Sequence, residues 1–402
     1  MQMKKIILPA FLLLTTINHA KSQTNTIAAD SINDKNIRTK VLSEIQSGFE
    51  SRTRMLDSTV EKLDARVSYL DKSILDTKDS KEKSEKLILR VQAIEDKQKT
   101  IDQTELNLLQ ANYQSAFVNL VSMDREIKPL VLFNSTKTFF SSLSDAGNPM
   151  NYDGYTKWYK GFSDYLQAEK SKSPLLSVTS NLIGFANGFT KGVPITGPIT
   201  TALFTGMNSY IDNMGKKEKD LKAQSEQMLT LTMKISQFDY DKDQIEHEWE
   251  SIAKELQELQ TKYDKTLTTN LKMVGVDKVA FQRDFSAEND AEMRYQYLTN
   301  LRDKAAKCVA DERQNNPKDW KQSTFVQMGD VQNLRLRFGQ ITLRISQNIV
   351  KYKELFDKYQ NDPQLGSKIK DLQFKLKDLQ ESFDKTFDPM DYINSANKMY
   401  KI

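Results

Sequence analysis

The sequence predicts an all-α protein: an elongated antiparallel helical bundle with long coiled-coil helices and an apolar hairpin head. Three observations carry that expectation. Glycine and proline are scarce, 14 and 9 in 402 residues. Between their clusters, apolar residues recur every three and four positions, the spacing of one helix face. No stretch alternates as a half-buried strand would. The breaks at Pro129, 145–198, Gly275, Pro317 and 363–366 favour a chain that folds back on itself over separate coiled-coil oligomers.

The chain opens with a basic start, the apolar run IILPAFLLLTT and a polar INHAKSQ. This is the pattern of a secretory signal peptide, and the run is shorter than the ~20 residues of a membrane span. Ala20 and Ser22 place cleavage before Gln23, so residues 1–22 are the expected signal and the product is secreted or periplasmic. Lys4, Lys5 and Lys21 leave with it. The 58 basic residues fall to 55 against 54 acidic ones. A near-neutral chain with no basic helix gives no reason to expect nucleic acid.

Residues 23–128 are expected to form the first long helical segment. Leu56, Val60, Leu63, Val67, Leu70 and Ile74 step by four and three, a coiled-coil seam. The seam weakens over 76–86, where the helix is expected to bend or break, and resumes at Leu87, Val91, Ile94 and Ile101. Pro129 is expected to end the segment.

Residues 129–214 are expected to be a head. An aromatic, turn-rich connector comes first, with a loop at 145–154 and a short helix at 155–166. From Leu175 to Ile211 the only formal charge is Lys191. A turn containing Gly192, Pro194 and Pro198 divides this stretch into two arms. Ser180, Gly184, Gly188 and Gly192 recur every four residues, as do Ala202 and Gly206. This small-xxx-small spacing lets helices approach closely in membranes. Leu175, Leu182, Phe185, Phe189 and Leu203 fall on the other face. The arms fit a hairpin buried on the bundle, a permanent transmembrane hairpin, or one that enters a bilayer conditionally; a β-tongue is the non-helical option. Intermediate hydrophobicity fits conditional insertion best. Tyr155, Trp158 and Tyr159 lie just before it, as membrane-interface aromatics or as ordinary packing residues.

Residues 215–402 are expected to hold the returning helix and the C-terminal bundle helices. Met228, Leu231, Ile235, Phe238, Ile245, Trp249, Ile252, Leu256, Leu259 and Tyr263 form a seam interrupted only by Lys242, and Gly275 closes it. A helix over about 286–313 follows, then a turn at 315–320. Leu334 to Tyr359 and Ile369 to Phe383 give two more heptad runs.

The order of long coiled helix, aromatic connector, apolar glycine-rich hairpin and returning helices resembles the α-helical pore-forming toxins of the cytolysin A and haemolysin BL/non-haemolytic enterotoxin type. The resemblance is one of architecture and spans about 34–383. It implies that Leu175–Ile211 inserts into a lipid membrane and that protomers assemble as a homo-oligomer or with a partner toxin component. The extended part after 276 departs from the simplest members. The alternative is a non-enzymatic structural or adaptor protein of the bacterial envelope, with the hairpin buried in an interface.

Catalytic, cofactor and metal residues are expected to be none. Cys308 is the only cysteine and reads as a packed residue, with an intermolecular disulfide as the lesser option. His247 is the one histidine beyond the signal. Its neighbours Glu246 and Glu248 do not share a helix face with it; Glu246 and Glu250 share one with each other, read as a solvated face, and DYDKD at 239–243 lacks the glycine and final glutamate of a calcium loop.

Overall fold

Thr77, Lys78 and Asp79 separate two long helices, α1 (Ile17–Asp76) and α2 (Ser80–Asn134). The break falls inside the polar stretch where the sequence places it. Asp79 starts α2 by accepting the backbone N–H groups of Lys81 (2.7 Å) and Glu82 (2.9 Å), the usual role of an N-cap carboxylate. The two helices run antiparallel. Arg90 bonds Asp71, Lys97 bonds Asp64, and Asn107 Nδ2 donates to Thr53 Oγ1 at 3.2 Å. This computed structural model describes residues 17–134, 137–170, 211–212, 214, 219–397 and 399–401.

Every described element is helical. After α2 come α3 (Lys137–Ala146), a 3-10 turn (Pro149–Asn151) and α4 (Tyr155–Lys170). The returning helix is α5 (Lys219–Met273). A short α6 (Lys278–Phe281) runs into a π turn (Gln282–Ser286). Then follow α7 (Ala291–Asn315), α8 (Trp320–Tyr359), α9 (Gly366–Thr386) and α10 (Pro389–Asn397). Contacts group them into two compact units. One is Met1–Leu130, Glu258–Gln340 and Lys385–Ile402; the other is Val131–Gln257 and Ile341–Asp384.

Four local expectations change. Pro129 does not end α2, which continues to Asn134. A proline inside a helix costs about 3 kcal/mol, and the burial of Ile127 and Leu130 on either side offsets it. Residues 137–146 are helical where a turn-rich connector was expected, and α4 extends to Lys170. The helix expected from 286 starts at Ala291, where Asp290 caps it by accepting the Met293 N–H at 2.9 Å. Gly275 does close α5: its φ of 67° is left-handed, and Val276 N–H bonds Leu271 O at 2.9 Å in a Schellman turn.

In the first unit Val41, Phe117, Leu334 and Phe338 are buried, and so are Arg38, Glu126 and Arg335, which form ion pairs. Arg38 Nη1 donates to Glu126 Oε1 (2.9 Å) and Arg335 Nη1 to Glu126 Oε2 (3.1 Å). Arg38 also bonds Asp391, which joins α10 to the cluster. Beside it Asp34 pairs with Arg125 (2.7 Å) and Arg294 (3.0 Å). Those two arginines also donate to carbonyls of Glu288, Ser286 and Asn289. The chain leaving the π turn is thereby held by side chains from α2 and α7.

The seams of α5, α8 and α9 are core stripes. Leu231, Ile235, Phe238, Ile245, Trp249, Leu256 and Tyr263 on α5 are buried, as are Leu334, Ile345, Ile349, Tyr352 and Phe356 on α8 and Ile369, Leu372, Leu376 and Phe383 on α9. The α2 seam is different. Leu87, Val91, Ile94 and Ile101 are exposed, and the face turned to α1 carries Arg90, Ala93 and Lys97. The stems of long basic residues can cover an apolar stripe while their heads pair at its edge. Here Asp71 and Asp64 fix that arrangement and rotate the α2 heptads outward.

Candidate functional site

In the second unit α4 and α5 flank residues 171–210 along the chain. Ahead of α4 the chain turns tightly. Asn148 Oδ1 accepts the Met150 N–H (3.0 Å), Tyr152 Oη donates to Ala146 O (2.9 Å), and Gly154 adopts φ 80°. A positive φ there suits glycine, which has no Cβ to clash. The Gly154 carbonyl then accepts the Trp158 N–H at 2.9 Å and opens α4.

α4 lies antiparallel along the start of α5. A Cβ added at Gly154 stands 3.4 Å from Met228 Cε, and one at Gly161 stands 3.8 Å from Leu221 Cδ1. Between them Trp158 Nε1 donates to Ser225 Oγ at 2.8 Å, both side chains being buried. Ile211 and Met214 are buried as well, and Lys222 Nζ donates to Asp212 O at 3.2 Å. The chain therefore departs along α4 and returns along α5 on one pair of packed helices.

The aromatic residues of α4 form a stacked run. Tyr155 meets Trp158 edge-on at 5.3 Å, Trp158 stacks on Phe162 at 5.4 Å, and Tyr155 lies parallel to Tyr159 at 6.4 Å. Tyr155 and Trp158 are 2% and 4% exposed, whereas Tyr159 is half-buried. Tyr155 and Trp158 pack on α5, where they bond Thr232 and Ser225. Burial pushes the Tyr155 hydroxyl up to about 12, against a smaller opposing effect of its hydrogen bond with Thr232. Burial also raises Tyr159.

The proposed inserting residues Leu175, Leu182, Gly184, Phe185, Gly188, Phe189, Gly192, Pro194, Pro198, Leu203 and Gly206 lie outside the described residues. Among the described residues no helix is long and apolar enough to cross a membrane.

Lys242, the polar break in the α5 seam, is buried. Its ammonium pairs with Asp239 (2.8 Å) and Glu246 (3.3 Å). Burial works to lower it, and the two carboxylates outweigh that and hold it above the ordinary lysine range. Burial raises Glu246 despite the same lysine. Glu246 is therefore half-buried and paired, not the solvated residue its sequence position suggests. Glu250 and His247 are exposed and lie 3.5 Å apart. Across from this part of α5, Arg344 of α8 binds Glu248 (2.6 Å) and Glu255 (2.5 Å), and Tyr359 Oη donates to Asp241 at 2.8 Å.

Among the described residues no group of three or more His, Cys, Asp or Glu side chains could hold a metal ion. Cys308 is half-buried, its Sγ 3.7 Å from the Met273 carbonyl, and burial pushes the thiol up. Such a thiol stays protonated and is a poor nucleophile.

No protein-family model, curated protein or solved structure matches this chain.

Proposed function

We propose that this is a secreted, membrane-interacting protein of pore-forming-toxin type. In this reading an elongated antiparallel bundle with coiled-coil helices carries an apolar hairpin head, residues 175–211, into a lipid bilayer. Residues 1–22 serve as the signal that exports it. Copies of the chain, or a partner component, assemble through the long helices.

The observation that carries the reading is where the near-chargeless stretch is attached. It departs from α4 and returns to α5, which are tied together by Trp158 and Ser225. A single excursion with both ends on one helix pair is what a hairpin needs if it is to leave its base without unravelling it. An uncharged stretch of that length exposed to water would aggregate or bind an apolar surface. Placing its small residues on one face lets two helical arms close against each other in lipid.

The test is release of a trapped dye from phospholipid vesicles by the purified chain beginning at Gln23, beside Gly188→Asp. Leakage by the parent and its loss in the variant are expected. Equal leakage by both removes the hairpin from the mechanism. Vesicles that remain sealed with the parent, even at saturating protein and with anionic and neutral lipids, count against direct insertion.

A further inference from the structure

The outward-facing heptads of α2 remain without a described partner. Leu87, Val91, Ile94 and Ile101 are each at least 38% exposed, and Ile88 beside them is 59% exposed. Scattered exposed apolar residues are ordinary, but a contiguous apolar stripe marks an interaction site. The steps of four, three and seven residues are those of alternating a and d positions, so the surface that fits this stripe is another helix. Gln98 occupies the a position between Ile94 and Ile101.

The flanking charges choose the partner and its direction. Counting from Leu87 as d, the g positions are Arg90 and Lys97, and the e positions beyond them are Glu95 and Asp102. In a parallel pair of identical helices, each g residue faces the e residue five places on in the other copy. Arg90 then faces Glu95 of the second copy, and Lys97 faces Asp102. In an antiparallel pair g meets g and e meets e, which sets Arg90 and Lys97 against their like and Glu95 and Asp102 against theirs. Arg90 and Lys97 already bond Asp71 and Asp64 of α1, yet both keep exposed surface. Each has N–H donors to spare, five on a guanidinium and three on an ammonium.

We propose that the exposed stripe Leu87–Ile101 of α2 docks against the same stripe of a second copy of this chain as a parallel two-helix seam. Gln98 lies opposite Gln98 of the second copy and sets the register, the use to which a single polar a residue is put. The contact is isologous, so it closes as a dimer. This develops the assembly part of the proposed function and does not depend on membrane insertion.

The test uses the full chain with Cys308→Ser, so that no native thiol interferes. Gln98→Cys on that background should form a disulfide-linked dimer on mild oxidation, because facing a residues lie side by side. Glu95→Cys should not, since facing e residues are close only in the antiparallel arrangement. Sedimentation of the parent should move from monomer toward dimer as concentration rises. Val91→Lys with Ile94→Lys, both at exposed sites, should keep the helical circular dichroism and weaken dimerisation at least about tenfold, or ~1.4 kcal/mol. A parent that stays monomeric, a cross-link at Glu95→Cys alone, or a double variant that dimerises as the parent does overturns the proposal. A monomer that still opens vesicles sinks only the seam; a dimer inert to vesicles sinks only the insertion.

Discussion

Trp158 Nε1 lies 2.8 Å from Ser225 Oγ in the interior of the second unit. The pair joins the first turn of α4 to the second turn of α5. An indole N–H is a donor only, so it depends on this one hydroxyl.

Ser225→Ala should therefore strand a buried donor and cost about 1–3 kcal/mol. Trp158→Ala should cost about 3–5 kcal/mol, through lost packing on Tyr155 and Phe162. Urea unfolding followed by circular dichroism reads both. If Ser225→Ala unfolds with the parent, this hydrogen bond does not hold the helix pair.

Glu126 sits between Arg38 and Arg335, all three side chains buried. Glu126→Ala leaves two buried guanidinium groups facing each other and should lose about 3–5 kcal/mol. Glu126→Gln keeps an acceptor oxygen and should lose less. A reversed order of the two variants in denaturant midpoint argues against the charge explanation.

Gly339 marks where α10 packs against α8. A Cβ there would come within 2.7 Å of Ile393 Cγ1 and 3.1 Å of Ile393 N. Part of that clash is with backbone, so α10 must shift. Gly339→Ala should cost about 1–3 kcal/mol and should raise amide exchange in 389–397 more than elsewhere. Uniform exchange along the chain contradicts a local effect.

The alkaline limit of stability should involve Tyr155. Burial raises its hydroxyl to about 12 in the folded chain, while an unfolded tyrosine ionises near 10. The folded state then holds a proton that the unfolded state releases. Its stabilising contribution is complete below about pH 10 and declines as pH rises toward 12. Tyr155→Phe should lower stability slightly at neutral pH, through the lost Thr232 bond, and flatten the decline above pH ~10. An unchanged alkaline slope in the variant assigns that limit to another group.

Much of the helical layout was readable because burial and periodicity coincide. Ile235, Phe238 and Ile245 on α5, and Phe338, Ile345 and Phe356 on α8, are core residues where the heptads put them. The same rule failed for Leu87, Val91 and Ile94, because apolar spacing gives a face but not what lies opposite. Arg90 and Lys97, pairing across to Asp71 and Asp64, turned that face outward. The cluster of buried Arg38, Glu126 and Arg335 with half-buried Asp391 was invisible in sequence, since its members come from four helices far apart along the chain. The burial of Tyr155 and Trp158 against α5 is not dictated by their spacing, because their partners Thr232 and Ser225 lie some seventy residues on. Helix α10 is too short, nine residues, for its pattern to stand out.

The tie between α4 and α5 also bears on how this protein can change over generations. Residues 154–162 and 221–232 supply the contacts described between the two helices, so the pairing is encoded outside residues 171–210. Selection on this helix pairing acts on those residues, and a change within 171–210 is not constrained by it.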